Sequence, residues 1–313
     1  TLRTGDFCLM KEKNPLTGWV ALFVIYLFAI AISAITGYLF LKDGLLMASF
    51  YAAMVSMSAV FAGSVIMNNS SMFDPWWSVA PPLLALFYWL GSAGAGQEAY
   101  DVALLSQGEN VPRILLIFIL LLIYGIRLTW NFLRGWKGLS HEDWRYADFR
   151  RNTGRWYWLV SFAGIHFFPS LMVFAGSLSL WVSVSLPVRA FGWPDILAGI
   201  ITLGAILLEA IADQQLRRHV RSGADPEKTM DKGLWAWSRH PNYLGEILFW
   251  WGLYLFALAA NPTEWLVIAG PVVITLMFLF ISIPLIERRM IKRRSDYGEY
   301  SKKVSKLWPL PPR

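Results

Sequence analysis

The chain alternates long apolar runs with short polar, mostly basic ones. Apolar stretches of about 20 residues predict membrane-crossing helices. Eight can be drawn, over 17–41, 45–67, 79–95, 112–133, 156–184, 193–216, 241–260 and 264–286. The third is short. The fifth contains Pro169, whose missing N–H predicts a kink. Beyond residue 286 the chain turns basic, yet Met290, Tyr297, Tyr300, Val304 and Leu307 recur at near-helical spacing. That pattern predicts an ordered cap over the mouth of the bundle rather than a loose tail. The predicted fold class is all-α: a polytopic membrane helix bundle of about eight transmembrane helices, with seven to nine the range.

Polar positions inside these runs sharpen the picture. An ionisable group at the centre of a span costs about 2.5–3.5 kcal/mol to insert, so it faces the bundle or a wet cavity. In 112–133, Tyr124, Arg127, Asn131 and Arg134 fall on one helix face. Arg134 can snorkel to the interface; Arg127, two turns deeper, needs a partner. Near the end of 193–216, Glu209, Asp213 and Arg217 follow at intervals of four. Asp213 and Arg217 support the helix by themselves, but Glu209 lies a turn deeper. The stretch 238–246 reads SRHPNYLGE. Pro241 suits a first helical position. The free N–H groups and positive dipole end behind it suit an anion. Asn242, Glu246 and Trp250 then share a face, with Arg239 and His240 at the mouth. An interfacial anchor accounts for Arg, His and Tyr here, but not for a buried Glu246. In 68–79, NNSSMFDPWWSV, two readings stand. Asp74 is a helix N-cap with Pro75 at N1, beside an aromatic belt of Trp76 and Trp77, or it is an acid turned into the same cavity.

Composition agrees with the pattern. Of 313 residues, 56% are hydrophobic and 16% charged, against about 25% charged in a soluble protein. Of the 28 Lys and Arg, 24 fall on the N-terminal side of the first span and on the loops that share that side; Lys42, Arg113 and Arg189 fall opposite. The positive-inside rule then predicts cytoplasmic termini. The net charge of +7 is a topology signal and a contact for anionic membrane lipids, and calls for no nucleic-acid partner. The single Cys8 excludes an internal disulfide. The four scattered His have no metal-ligand spacing, so no metal is expected. The first fifteen residues do not read as a signal peptide, because the apolar run after them is too long.

The segment GLWAWSRHPNYLGEILFWWG, with the tail IERRMIKRRSDYGEYSKKVSKLWP, resembles the steroid 5-alpha-reductase superfamily, most closely its bacterial membrane branch. The resemblance spans residues 64–313. Residues 1–63, with the first one to two spans, form an N-terminal segment outside it. The resemblance implies NADPH, held between the last spans and the tail in a bacterial inner membrane. It assigns to that cofactor Asn242 and Glu246 with Arg239, His240 and Tyr243 beside them, then Asp213 and Arg217, and from the tail Arg288, Arg294 and Tyr297. The family's catalytic tyrosine, followed three residues later by an arginine, matches Tyr124 and Arg127, and Asn131 is a further cofactor-side residue. The tyrosine's acidic partner is a Glu in a Gln-Glu pair. Here Asp74 stands nearest, and the pair in GQEAYD at 96–101 falls on the other side of the membrane. The implied reaction reduces a C=C bond conjugated to a carbonyl in an apolar, steroid- or sterol-like lipid that enters from the bilayer. Isoprenylcysteine carboxyl methyltransferases carry a similar Arg-His-Pro-x-Tyr and a similar tail. S-adenosylmethionine-dependent methyl transfer is therefore the alternative, and a non-catalytic lipid-binding protein is a third class.

Overall fold

Each long apolar run folds as a helix, because in hydrocarbon only a helix satisfies its own backbone. The structure, a computed structural model, describes residues 15–93, 97–223, 225 and 227–311, with backbone alone at 15, 93 and 97–109. Cys8 and the side chains of the Gln-Glu pair in GQEAYD lie outside the described residues. Of the described residues, 83% are helical. The helices are α1 (Pro15–Leu39), α2 (Leu45–Ile66), α3 (Trp76–Ala93), α4 (Gln97–Gly135), α5 (Trp144–Thr153), α6 (Tyr157–Val160), α7 (Phe168–Ser185), α8 (Trp193–Arg221), α9 (Pro241–Ala260), α10 (Ala269–Met277), α11 (Ile283–Arg293) and α12 (Tyr297–Lys303). Seven described helical stretches are long and apolar enough to cross a membrane. The chain is a polytopic membrane helical bundle. The expected span 79–95 is α3. It has 18 residues with Pro81 and Pro82 inside, a length of about 27 Å at 1.5 Å per residue, and it falls short of the seven.

The kink expected at Pro169 takes a definite form. Residues Ser161–Phe167 wind as a π-helix immediately before Phe168 and Pro169. A second π-helix, Phe278–Ser282, precedes Pro284. A proline cannot donate to the carbonyl four residues back and its ring crowds that carbonyl. A locally widened turn relieves both conflicts.

The chain divides into two compact units: residues 1–101 with 124–174, and 102–123 with 175–313. In the first, α1 and α2 pack as an antiparallel pair, and their core joins Tyr26, Met57, Val60, Phe73, Trp76 and Trp136. In the second, α8 and α9 form the main packed pair. Glycines bring these two helices close. A Cβ on Gly245 would stand 2.6 Å from Glu209 Cβ and 2.8 Å from the Ala205 carbonyl oxygen, and one on Gly252 would stand 2.2 Å from Thr202 Oγ1. The tail is ordered, as its pattern predicted. The helix after the last span runs on to Arg293, α12 follows, and residues 305–307 return to the loop before α9. There Arg239 N–H donates to the Ser305 carbonyl (2.9 Å) and Ser238 Oγ to the Leu307 carbonyl (2.7 Å). Arg113, read from sequence as a loop residue, instead lies inside α4 with no exposure. It forms an ion pair with Asp195 (2.6 and 3.0 Å) and donates to Asn110 and to the carbonyls of Arg189 and Ala190.

Candidate functional site

The second unit gathers polar side chains at the start of α9. Pro241 is its first residue, as the sequence predicted, and His240 is its N-cap. Because Gly245 lets α9 press against α8, residues one turn apart on the two helices meet, and Asn242 Nδ2 donates to Asp213 Oδ1 at 3.3 Å. Glu246 is buried one turn further in and accepts from Trp250 Nε1 at 2.9 Å. Glu209, also buried, lines the contact with Gly245.

The loop before α9 is tied to the tail through Glu287. Its Oε1 accepts from Arg239 Nη1 (3.0 Å), from His240 Nε2 (3.2 Å) and from the Tyr297 hydroxyl (3.4 Å). Burial holds the His240 imidazole below its ordinary pKa, against the opposing pull of Glu287. The ring is thus neutral at neutral pH, with its proton on Nε2 toward the carboxylate, and it stacks on Tyr243 with centroids 5.4 Å apart. Burial raises the Tyr297 hydroxyl well above the usual phenol range, with Glu287 adding to the effect. Tyr297 therefore stays protonated and acts as a donor. Thr229 binds Asp296 through its N–H and its hydroxyl, and Tyr300 donates to the Trp235 carbonyl at 2.6 Å. These bonds hold the strap 229–240 against α12.

The first unit builds a different polar shelf around residues 68–74. Asn69 is extended (φ −149°, ψ 108°) and caps the turn Ser70–Phe73 by accepting from Ser71 N–H; its amide donates to the carbonyls of Leu139 and His141. Ser70 N–H donates to Glu142 at 2.9 Å, and Ser70 Oγ meets Tyr157 and Ser161 at 2.6 and 2.9 Å. Arg150 braces Glu142 and Asn68. Asp74 closes this shelf. Its backbone is helical (φ −53°, ψ −46°), not the extended form of an N-cap, so the capping expectation does not hold. Its carboxylate accepts from the Tyr146 hydroxyl, with Arg145 Nη2 at 3.7 Å. The side chain is 19% exposed. Burial pushes its pKa from 3.8 to about 7, against the lowering effect of Arg145. Such a carboxyl is half protonated at neutrality and can give or take a proton there.

Tyr124 lies in the same unit and is fully buried. Next to it, Gly125 lets α4 rest on the first turn of α3: a Cβ there would stand 2.9 Å from the Ser78 carbonyl oxygen. Ser78 Oγ also bonds Thr129 Oγ1 at 2.9 Å. Arg127 and Asn131, half-buried, continue along this helix. The same unit encloses an apolar cavity of about 190 Å³ between α1, α2, α3 and the start of α7.

The predicted residues thus fall into two groups. Tyr124, Asp74, Arg127 and Asn131 belong to the first unit, and Asp213, Arg217, Arg239, His240, Asn242, Tyr243, Glu246, Arg288, Arg294 and Tyr297 to the second. Within the second, bonds join Asp213 to Asn242, and join Arg239, His240 and Tyr297 through Glu287. Arg217 is half-buried on α8, and Arg294 is half-buried where α11 ends. Arg288 is exposed; the residue of that turn facing inward is its neighbour Glu287, which sequence reasoning passed over. A usable signal was present, since Glu287 is the one acid in a basic helix. Tyr146 was also missed, and no local pattern marks it, because it lies 72 residues from Asp74.

A family described as protein of unknown function (DUF1295) matches residues 60–304. A protein of Schizosaccharomyces pombe described as uncharacterized is 28% identical over 273 residues, covering 79% of this chain and 74% of the relative. No solved structure matches.

Proposed function

The chain belongs to the DUF1295 family, within the steroid 5-alpha-reductase-like superfamily, and on that premise we propose that it is an NADPH-dependent membrane reductase. Its substrate is an apolar lipid carrying a C=C bond conjugated to a carbonyl. The observation that carries this reading is the second unit's helix start at Pro241. Arg239 beside it has a buried Nε with no partner among the described residues, so the site fits an anionic ligand that offers one more acceptor. A first helical turn with Pro at N1 suits phosphate. Arg217 and Arg294 add charge, and Arg288, though exposed, lies one residue from Glu287. Asn242, Asp213 and Glu246 suit the hydroxyl and amide groups of a nucleotide. NADPH, when bound, supplies the hydride. The rest is the work of the chain's own side chains. Reduction builds negative charge on the substrate's carbonyl oxygen. A buried donor aimed at such an oxygen contributes a few kcal/mol, and Tyr124 takes that role. Asp74 holds a proton near neutrality and orients the donor or supplies the proton, an effect typically worth about 10²–10⁴-fold. The charge asymmetry of the loops supports cytoplasmic termini.

The test is thermal shift on detergent-purified protein with NADPH, NADH and S-adenosylmethionine, followed by loss of the reduced-nicotinamide absorbance on adding a lipid extract. Stabilisation by NADPH is expected. Stabilisation by S-adenosylmethionine alone overturns the reductase reading in favour of methyl transfer. Tyr124→Phe should abolish reduction and keep NADPH affinity within about a few-fold. Asn242→Ala and Glu246→Ala should weaken NADPH binding first.

A further inference from the structure

The cavity of the first unit is close to a single-ring void in size. At about 190 Å³ it is somewhat larger than the roughly 150 Å³ apolar cavity that holds benzene. Its wall is almost wholly apolar, with Ala34, Ala53, Trp76, Leu83, Phe87 and Phe174 among its residues. Leu86 and Leu90 also line it, and both are exposed on α3. In a bundle embedded in lipid, such exposure puts the mouth of the cavity on the hydrocarbon side. Three serines interrupt the apolar wall. Ser33 Oγ donates to the Ala52 carbonyl and Ser56 Oγ to the Ala53 carbonyl. Ser170 differs: it is 7% exposed, and its hydroxyl has no partner among the described residues. A buried donor left unmatched is costly unless a ligand matches it.

We propose that this cavity binds the oxygen-bearing end of a single-chain lipid, acyl or prenyl, with Ser170 Oγ donating to a carbonyl-type oxygen. The size selects the class. A rigid four-ring skeleton cannot enter a ring-sized void as a whole. A flexible chain can place its functional end inside and leave the remainder in the bilayer through the Leu86–Leu90 mouth. Tyr124 is not among the residues that line the cavity, so the oxygen held by Ser170 is not the one Tyr124 polarises in the reductase reading, and this inference stands apart from that reading.

The experiment is photolabelling of the full-length protein in lipid nanodiscs, without NADPH. One probe is a chain ketone with a diazirine beside its carbonyl; the other is a sterol ketone with the same reactive group. The chain probe should label peptides that contain Ala34, Ala53, Leu83 or Phe174. Labelling should fall at least fivefold in Ala53→Phe, which fills the void, and severalfold in Ser170→Ala, which removes one oxygen and leaves the packing intact. The sterol should label only lipid-facing positions such as Phe23 and Phe28 on α1. Equal labelling of the cavity peptides by the sterol overturns the class. Unchanged chain labelling in Ser170→Ala overturns the site, including where Ala53→Phe fails to fold. Cavity labelling without NADPH stabilisation leaves this inference standing and removes the reductase. NADPH turnover with no chain labelling does the reverse.

Discussion

Asp74 shows how a single residue takes its chemistry from its surroundings. Its carboxyl is held at a pKa of about 7 by burial, against an ordinary 3.8, so the folded state binds this proton more tightly than the unfolded one. Stability from this group is full below about pH 4 and is lost as pH rises toward 7. Wild-type protein should therefore lose thermal stability relative to Asp74→Asn between those limits, with no further divergence above them; a difference that does not change with pH would refute the shift. Arg113 makes the opposite case, a charge whose burial is fully compensated. Arg113→Met leaves Asp195 buried and unpaired, and should cost about 3–5 kcal/mol, seen as a lower unfolding midpoint in detergent. Adding Asp195→Asn should restore most of it, because the amide still accepts from Gly192 N–H, which now bonds Asp195 at 2.9 Å.

At the scale of elements, the second unit depends on how closely α9 approaches α8. The approach is possible only because Gly245 and Gly252 face that helix. Any side chain at 245 meets Glu209 Cβ and the Ala205 carbonyl at under 3 Å, and backbone cannot yield as a flexible side chain can. Gly245→Val should push the helices apart at the turn that joins Asn242 to Asp213. A core overpacked in this way typically loses about 1–3 kcal/mol, and NADPH affinity should fall more than tenfold while Gly298→Ala, in open space, changes neither. Helix existence and the helix faces were legible in sequence here. The 209–213–217 and 242–246–250 spacings become faces by helical geometry alone. The π-helical turn before Pro169 was legible only as a kink, and the one before Pro284 was not read at all, because the backbone's answer to a missing N–H depends on what packs beside it.

At the scale of the whole molecule, the open point is how often the chain crosses the bilayer. If both termini lie on one side, the number of crossings is even. Among the described residues seven helical stretches qualify by length and hydropathy, and α3 would then cross as the eighth, its length short of the ~30 Å hydrocarbon core by an amount that local thinning can absorb. In a Cys8→Ser background, a membrane-impermeant maleimide applied from outside should label Lys42→Cys and Ser92→Cys but not Lys137→Cys or Lys302→Cys. Labelling of Lys42→Cys without Ser92→Cys would make α3 a re-entrant segment and part the termini. The sequence by itself determined the all-helical membrane class, the extent of most spans, the start of α9 at Pro241 and the ordered tail. Each of these follows from local properties: run length, periodicity, and a proline's backbone. The tertiary structure alone decided which groups pair. Asp74 finds Tyr146 across 72 residues, His240 finds Glu287 across 47 and Arg113 finds Asp195 across 82. Periodicity states which face of a helix is polar. Only the packed fold brings two distant faces within hydrogen-bonding reach, and at Asp74 and His240 burial at that meeting shifts the charge toward the neutral form.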